Sequence, residues 1–532
     1  MPKRGRCCRL CCLSLVHGLA KSPKRGKFLA MMRRWLLQTI VVVAVVAGCA
    51  DVDPTSTAAP ETTAPAITET DNTKPDTNEA DNTKPDTNEP ETMVGQPNLP
   101  ATNKSSFGPI PPSPDGPLDS NLKNDLDTLF ASFTTRPELE AMDRIAASAD
   151  PRTAWLLTDI MRFARDNALL KRTADAWSEL TGVSIPTDQF PWGFATNHMI
   201  AWDIAAPPDY INWKRQLFER LDPRWAPLFD DPDAIVDWRW VSWGGVLIDD
   251  RPVDQTKRGC PQSCIPALND PPLTNASEGS WYDDDAIIFG VIVNDEPVAF
   301  PKNIMEIHEM VNITIGGRRL GIPYCTLCGS AQAYFTDKVA AGIDLDGHET
   351  YELRTSGLLS RSNKLMFELH TKSVIDTFTG EAQSGPLRQA GVTLNQTSVR
   401  TSTWGDWKNA HPNTKIVAED GGIGRNYPLD PLRGRDDDGP IFPIGDVDTR
   451  LTVQEPVVGV IADNGAAVAF PVAVIEPLTR NGASVSFGGV TISSDGAGYS
   501  AVADATNEPL SAHQAFWFAW SQFHPETLLY LS

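Results

Sequence analysis

The same succession of segments occurs twice in the second half of the sequence, and this repeat constrains the fold more than any single motif does. Three segments align with three later ones in the same order: 290–306 with 459–476, 313–322 with 485–494, and 404–415 with 517–528. In each copy, short apolar runs alternate with Gly, Asn and Asp turns, a pattern that is typical of β-hairpins. We therefore predict one β-rich unit used twice, with copy one over 235–420 and a shorter copy two over 421–532.

Copy one is longer because it contains two cysteines, Cys325 and Cys328, and a stretch after them that copy two lacks. The pair lies in "GIPYCTLCGSAQAYF" (321–335), between two runs that both predict strands. Copy two is predicted to form the same unit without these residues. We therefore interpret the cysteine pair as a functional addition to copy one.

The comparison of the copies also divides the histidines into those that both copies share and one that only copy one has. His411 and His524 occupy the same W-x3-H-P position of the two copies, so we interpret both as structural caps or turn residues. His308 has no counterpart in copy two and lies on the apolar face of a helix predicted for 303–311. We expect it to point inward, toward the strand that ends at Cys325. It is then either a satisfied core histidine or a part of the cysteine site.

Residues 119–234 are predicted to form a helical domain. Apolar residues recur at helical spacing over 150–182, with Asp150 and Pro151 as the start signal and Gly182 as the stop signal. The segment resembles one HEAT-type helical pair, and an ordinary helical cap packed on the next domain is the alternative interpretation. The predicted fold class is α+β: a helical N-terminal segment followed by a β-rich domain with a degenerate internal duplication.

The N-terminal residues have the composition of a targeting segment. Residues 1–48 contain ten Lys or Arg and no acid. Residues 32–49 predict a signal peptide, because an apolar run that is short for a membrane span follows two arginines. Residues 46–49 resemble a bacterial lipobox, whose cysteine is lipidated and becomes the mature N-terminus. The alternative is an uncleaved anchor helix, and we place the true start at Met31 or Met32.

A polar tether follows the predicted lipidation site, Cys49. Residues 51–118 contain 12 acids, 3 lysines, almost no large apolar side chains and a tandem repeat at 71–90. Such a chain cannot offset the entropy lost on ordering, so we predict a disordered spacer over 49–118. A lipidated cysteine, a polar spacer and a folded body together predict an extracytoplasmic lipoprotein of the cell envelope, anchored to the membrane.

Charge and missing motifs exclude several function classes. Residues 119–532 carry 56 acids against 33 bases, a balance that repels DNA and RNA, so we expect no nucleic-acid partner. The sequence has no Walker loop, Rossmann fingerprint, G-x-S-x-G or H-E-x-x-H motif. We therefore expect no nucleotide cofactor and find no basis for an ordinary hydrolase. The membrane is the predicted partner, through the lipid anchor, and the sequence identifies no protein or small-molecule partner.

Several motifs of the β-rich region resemble the bacterial domain-of-unknown-function family 3179. They are "VAFPKNIMEIHEMVNITIGGRRLGIPYCTLCGSAQAYF", "SGLLSRSNKLMFELHTKSVIDTFTGEAQSGPL", "TWGDWKNAHPNT" and "GRNYPLDPLRG". The resemblance covers roughly residues 240–532. It implies that His308, Cys325 and Cys328 are family-like positions, and it implies no established activity. Thr326 stands where the resemblance implies a proline.

Two cysteines separated by two residues are compatible with three chemistries. A C-x-x-C-G turn resembles a metal knuckle, in which His308 with a second donor, or Cys260 and Cys264, would complete the ligands of a zinc, iron or copper ion. The same spacing occurs in disulfide oxidoreductases, where a lowered thiol pKa makes one cysteine the nucleophile. The third chemistry is a structural staple of a β-turn, as a permanent disulfide or as two buried thiols. Cys260 and Cys264 are also candidates for a disulfide of their own.

From these observations we predict an exported lipoprotein of unknown activity. Its Cys325–Cys328 site, assisted by His308, binds one transition metal ion or acts as a thiol/disulfide pair. The alternative is a non-catalytic extracytoplasmic binding or scaffolding module whose cysteines are structural. The sequence assigns neither an enzymatic reaction nor a substrate.

Overall fold

Helices dominate the described chain from residue 120 to residue 221, and small β-sheets dominate it afterwards. The structure is a computed structural model that describes residues 100–531, apart from 133–135, 257–259, 261–262 and 435–438. The predicted mixed α+β class is confirmed. All of the described residues belong to one compact unit of the chain.

Six of the helices in the described part of the chain precede the sheets, and the others connect strands. Gly182 ends the helix of residues Asn167–Thr181 in the left-handed conformation (φ 73°), as the sequence predicts. Asp166 begins the same helix by accepting hydrogen bonds from two backbone N–H groups. The described helices are α1 (Ser120–Ser132), α2 (Arg136–Ala146), α3 (Ala154–Phe163), α4 (Asn167–Thr181), α5 (Pro191–Trp202), α6 (Tyr210–Leu221), α7 (Lys302–His308), α8 (Gly385–Gln389), α9 (Trp404–Ala410), α10 (Val472–Thr479) and α11 (Trp517–Phe523). Within the described part of the chain, none of these helices has both the length and the apolarity needed to cross a membrane.

The strands are short and their turns carry the residues that tight hairpins require. Gly316 and Gly317 form the predicted turn between β6 and β7, with φ values of 55° and 74°. The described strands are β1 (Val241–Trp243), β2 (Leu268–Asn269), β3 (Leu273–Asn275), β4 (Ile287–Val293), β5 (Glu296–Pro301), β6 (Met310–Ile315), β7 (Arg318–Cys325), β8 (Ser330–Ala331), β9 (Ala333–Phe335), β10 (Leu353–Ser360), β11 (Asn363–Glu368), β12 (Val374–Asp376), β13 (Gln396–Thr397), β14 (Arg400–Thr403), β15 (Lys415–Val417), β16 (Pro456–Ile461), β17 (Ala467–Pro471), β18 (Val485–Phe487), β19 (Val490–Ser494), β20 (Tyr499–Ala503), β21 (Pro509–Leu510), β22 (Ala512–Phe516) and β23 (Leu528–Leu529).

These strands form five small sheets among the described residues, arranged in a propeller-like ring. The strand orders are β1-β10-β11-β12 in sheet 1, β13-β9-β7-β6-β2 with β8 on β7 in sheet 2, β14-β4-β5-β15-β3 in sheet 3, β22-β16-β17-β23 in sheet 4 and β18-β19-β20-β21 in sheet 5.

Sheets 3 and 4 have the same topology over four strands. In sheet 3, β14, β4 and β5 are antiparallel neighbours, and β15 returns parallel to β5. In sheet 4, β22, β16 and β17 repeat that arrangement, and β23 returns parallel to β17. The connecting helices also correspond, with α7 and α10 after the hairpins and α9 and α11 before the parallel strands. Two of the three pairs of segments that align in the sequence, 290–306 with 459–476 and 404–415 with 517–528, therefore occupy equivalent places in these sheets. The third pair forms hairpins in two other sheets, 313–322 in sheet 2 and 485–494 in sheet 5.

A tryptophan packed on a strand glycine recurs in both sheets. In sheet 3 the indole of Trp407 lies directly on Gly290, and its Nε1 donates to Thr414 Oγ1 at 2.8 Å. In sheet 4, Trp520 lies on Gly459 and donates to Thr527 Oγ1 at 2.8 Å. These glycines are required because a side chain would occupy the volume of the indole.

The two histidines of the W-x3-H-P motif lie against the same tryptophans. The ring of His411 is 4.3 Å from that of Trp407, and the ring of His524 is 4.3 Å from that of Trp520. Each backbone N–H donates to the carbonyl of its tryptophan, at the end of α9 or α11. Both histidines therefore stand at the ends of helices and against core rings.

The helices and sheet 1 share one hydrophobic core. Trp155 of α3 is fully buried in a cluster that also contains Leu358, Leu365 and Phe367 from sheet 1. The predicted boundary between 234 and 235 therefore does not separate two cores. The interpretation of α3 and α4 as a HEAT-type pair stays a prediction.

The glycine–indole contact predicts the effect of one methyl group. Gly290→Ala should lower the free energy of unfolding by about 2–3 kcal/mol, because the new Cβ overlaps the Trp407 ring and the packed core cannot relax freely. Gly193→Ala is the matched control, since Gly193 lies in α5 and a Cβ there meets no atom within 4 Å. It should be neutral or stabilising by up to about 1 kcal/mol. Equal midpoints of urea unfolding for the two variants would contradict the prediction.

Candidate functional site

The cysteine pair lies in a tight turn at the end of β7. Cys325 is the last residue of β7, and a single 3-10 turn, Thr326–Cys328, follows it. The chain then reverses into β8, where Ser330 lies opposite Cys325 in the ladder. Gly329 makes the reversal possible because it adopts a left-handed conformation (φ 57°).

Copy two covers this turn. A Cβ on residue 329 would lie 2.9 Å from the ring of Phe516, the last residue of β22. Cys325 and Cys328 are 2% and 0% exposed and belong to a hydrophobic cluster with Phe378 and Trp517. Both are free cysteines in the structure. The thiols therefore lie in a water-poor position between the first and second copies.

A buried ammonium group lies next to the thiols. Lys364 of β11 is only 3% exposed, and its Nζ donates to the backbone carbonyl oxygens of Glu309 and, at 3.4 Å, of Tyr324. The Glu309 carboxylate, 17% exposed, lies 3.9 Å from the same Nζ. Glu309 follows α7 in the left-handed conformation (φ 51°), which turns its carbonyl toward the lysine. A buried lysine is stable only with such partners.

The turn between β10 and β11 supplies the polar contacts of the sulfurs. Cys328 Sγ donates to Asn363 Oδ1 at 2.8 Å and lies 3.7 Å from the carbonyl oxygen of Ser362. Cys325 Sγ lies 4.0 Å from the same carbonyl oxygen. Arg361 and Ser362, which form the turn, have φ values of 47° and 72°. Non-glycine residues in this conformation are strained and persist where the surrounding structure holds them.

The side chain of Arg361 provides that support through contacts with residues outside the turn. Its guanidinium donates to the carbonyl oxygens of Ile444 and Asp446 at 3.1 Å and lies over the ring of Trp240 at 4.9 Å. The segment of residues 444–446 and the turn before β1, which carries Trp240, thus both hold the strained turn. The turn in turn fixes Asn363 and Lys364 beside the thiols.

The two thiols differ in acidity. Burial, and after it the negative charge of Glu309, opposes ionisation of Cys325. Its hydrogen bond with Cys328 outweighs both, helped by the backbone N–H and, last, the positive charge of Lys364, so its pKa is lowered. Burial and the neighbouring Cys325 raise the pKa of Cys328 well above its ordinary value. Burial lowers the pKa of Lys364 and raises that of Glu309, while their mutual attraction acts against both shifts. The arrangement favours one thiolate, on Cys325.

Polar side chains without partners lie close to this group in the part of the chain that the structure describes. The hydroxyl groups of Ser330 and Ser362 and both amide atoms of Gln332 form no hydrogen bond. All three side chains are buried, at 0%, 1% and 0% exposed. Ser330 faces Cys325 across the ladder, and the Gln332 N–H donates to the Pro323 carbonyl as the ladder continues. Buried polar groups without hydrogen-bond partners are rare in folded proteins.

The structure places His308 elsewhere. His308 is 0% exposed, and its Nδ1 donates to the carbonyl oxygen of Pro266 at 2.8 Å. Its Nε2, 2.7 Å from Tyr427 Oη, accepts from that hydroxyl. Both ring nitrogens are thus occupied, so the inward orientation expected from the sequence leads to a satisfied core histidine. The helix that carries it ends at residue 308 and not at 311, because Glu309 turns the chain.

The other predicted site residues do not join the pair. Cys260 and Cys264 form a disulfide with each other. Among the described residues, no three His, Cys, Asp or Glu side chains are grouped so that they could hold a metal ion. The ligand set expected for a zinc-type knuckle is therefore not assembled here. Cys49 lies outside the described residues.

Sequence reasoning did not find Lys364 and Asn363, and it treated Glu309 only as a neighbour of His308. Lys364 and Asn363 lie within "SGLLSRSNKLMFELHTKSVIDTFTGEAQSGPL", one of the motifs that carry the family resemblance. The location of this motif in the family-like region was the only signal in the sequence that these two residues could matter. No local pattern connected the motif to the cysteines.

Residues 262–502 match the family model described as protein of unknown function (DUF3179). The resemblance inferred from the motifs is thus confirmed over that segment, which contains the whole cysteine–lysine group. No curated protein and no solved structure is significantly similar to the chain.

The position of His308 predicts a pH effect on stability. Burial lowers its pKa from 6.5 to about 4. Above pH 6.5 the imidazole is neutral in both the folded and unfolded states, and it adds no pH dependence. Between pH 6.5 and 4 only the unfolded state gains the proton, so the contribution of His308 to stability falls by up to about 3 kcal/mol.

The variant His308→Gln isolates this effect, because glutamine can also donate and accept a hydrogen bond but does not titrate. Urea unfolding of both proteins should be measured from pH 7.5 to pH 4. The stability advantage of the natural protein should shrink as the pH falls below 6.5. Parallel stability curves would show that His308 is not a buried neutral imidazole.

Proposed function

We propose that the protein is an exported, lipid-anchored lipoprotein that acts through Cys325 and Cys328 as a thiol/disulfide pair. One observation carries the proposal: two free, adjacent thiols lie beside the buried ammonium group of Lys364. Burying a lysine costs free energy that a purely structural turn does not require. A nearby cation favours the thiolate form, which is the reactive form of cysteine.

The reaction we propose is exchange with a disulfide of a partner molecule. The Cys325 thiolate attacks one sulfur of that disulfide, and a mixed disulfide forms while the other partner sulfur leaves as a thiolate. Cys328, after loss of its proton, attacks the Cys325 sulfur and releases the second partner thiol. The cysteine pair loses two electrons and the partner disulfide gains two. The exchange therefore balances without another reactant.

Access to the sulfurs requires a local movement. Thr326, Cys328 and Cys325 are buried, and Phe516 closes the turn, whereas Leu327 is partly exposed. We propose that the turn of residues 326–328 moves away from Phe516 to admit the partner. Contacts at a single turn are among the first to open in a folded protein.

The finer organisation of the chain belongs to the same proposal. We infer that sheets 3 and 4 descend from one duplicated unit, and that copy one gained the cysteine turn. The structure corrects the predicted spacer over 49–118 at its C-terminal end, since residues 100–118 are packed on the folded body: the Trp202 indole donates to the carbonyl oxygen of Phe107 at 3.1 Å, and the N–H of Asn103 donates to that of Val447 at 3.2 Å. The part of the predicted spacer before residue 100 would hold this body away from the membrane surface.

A second candidate function is a binding or scaffolding module with structural cysteines. The observation in its favour is the burial of both thiols in an apolar cluster with Phe378 and Trp517. Buried thiols in such surroundings are generally inert and behave as small apolar side chains.

A redox titration separates the two candidates. The protein should be equilibrated under native conditions with mixtures of reduced and oxidised dithiothreitol, quenched with acid, alkylated and analysed by mass spectrometry. Under the first candidate, Cys325 and Cys328 lose their alkylation together at one midpoint. In the Cys328→Ala variant, Cys325 should remain alkylated at every ratio of reduced to oxidised dithiothreitol.

Cys264→Ala provides the matched control, since it removes the other cysteine pair and should leave that midpoint unchanged. If Cys325 and Cys328 stay reduced at all ratios while the fold is retained, the thiol/disulfide proposal fails. The scaffolding candidate then stands.

A further inference from the structure

The donor atoms of the cysteine turn suit a soft metal ion with a low coordination number. Both sulfurs belong to one four-residue turn, and the chain folds them onto the same carbonyl oxygen of Ser362. Thiolate ligands select Cu(I) over the harder divalent ions, because both partners are polarisable. The nearby oxygens of Asn363 and Ser362 are neutral and would be hard metal ligands, which Cu(I) does not prefer. They accept hydrogen bonds from the thiols instead.

Lys364 has a specific electrostatic role in such a metal site. One Cu(I) ion and two thiolates carry a net charge of minus one, which is costly in a water-poor position. The Lys364 ammonium, buried beside Cys325 and Cys328, supplies a positive charge close to the two sulfurs and so lowers this cost. The Glu309 carboxylate, 3.9 Å from the ammonium group, holds the lysine in place when no ion is bound.

We infer that the reduced Cys325–Cys328 pair is a two-coordinate thiolate site for Cu(I), with Lys364 as its charge partner. The inference rests on the proposed function in one respect, namely that the pair is available as two thiols. Binding replaces the two thiol protons, which are released to solvent, and forms two copper–sulfur bonds without any change of oxidation state. The copper-bound and disulfide states exclude each other, because both use the same sulfur electron pairs.

Copper titration of the full chain tests the inference. All proteins should carry Ser in place of the five cysteines that precede residue 50, so that these thiols cannot contribute. The reduced protein is titrated anaerobically with Cu(I) against bathocuproine disulfonate. One Cu(I) per chain is expected, and X-ray absorption of the complex should show two sulfur ligands.

Three sets of variants assign the site. Cys325→Ser and Cys328→Ser should each abolish competitive binding, whereas Cys260→Ser combined with Cys264→Ser should keep one Cu(I) per chain. Lys364→Met should weaken the affinity about 10- to 100-fold at unchanged stoichiometry, because a unit charge at close range is lost. Lys364→Arg should restore most of the affinity, which a merely space-filling role of the lysine would not predict.

The outcomes separate this inference from the proposed function. No Cu(I) uptake, or uptake that survives Cys325→Ser, overturns the inference, as does one tightly bound Zn(II) on the same sulfurs. If the redox titration then still shows a reversible disulfide, the proposed function stands alone. If a cysteine variant fails to fold, the sulfur count in the X-ray absorption of the natural pair decides.

Discussion

The buried ammonium group of Lys364 is the constraint on which the site depends. An amine without water must be surrounded by acceptors, and here these are the carbonyl oxygens of Glu309 and Tyr324 and the Glu309 carboxylate. The acceptors come from the end of α7 and from β7, whereas the lysine comes from β11. Sheets 1 and 2 can therefore satisfy the lysine only when they meet at this point. The strand that offers the Tyr324 carbonyl continues directly into Cys325, so satisfying the amine also places the thiol.

The two copies show which features are needed for the fold and which are additional. Both have the hairpin, the glycine under an indole and the parallel return strand, so these suffice to make the unit. The copies differ at the end of the helix that follows the hairpin, which is α7 in copy one and α10 in copy two. In copy one, Glu309 turns the chain in the left-handed conformation, whereas in copy two Arg480 continues with φ −55°. Only in copy one does this helix end turn a carbonyl toward a buried amine.

Local patterns in the sequence were sufficient for the features that depend on neighbouring residues. Gly316 and Gly317 indicated a tight hairpin because two consecutive positive φ values nearly require such residues. Gly182 indicated a helix end for a related reason. The strands on both sides of the cysteines were also predicted from their local sequence. These features form from chemistry within a few residues, so a single sequence is enough to predict them.

The missed features depend on contacts between distant residues. A lysine in a strand normally indicates the solvent face, and nothing in residues 363–368 signals that Lys364 is buried against Tyr324, 40 positions earlier. His308 shows the same limit, because its inward direction followed from periodicity but its partner, Tyr427, lies 119 positions away. Without that partner, a buried histidine near a cysteine-bearing strand resembles a ligand.

The burial of the thiols bears on both of the proposed chemistries. Exchange with a partner disulfide would require Phe516 and the turn of residues 326–328 to separate, so its rate would depend on local opening. A single metal ion would need a smaller opening than a protein disulfide does, and the same apolar cluster would shield it from water and oxidants. In both proposals the packing of Phe516 against Gly329 limits which reactants could reach the sulfurs. Because Phe516 belongs to copy two, which contains no cysteine, the proposals give the second copy a part in the chemistry of the first.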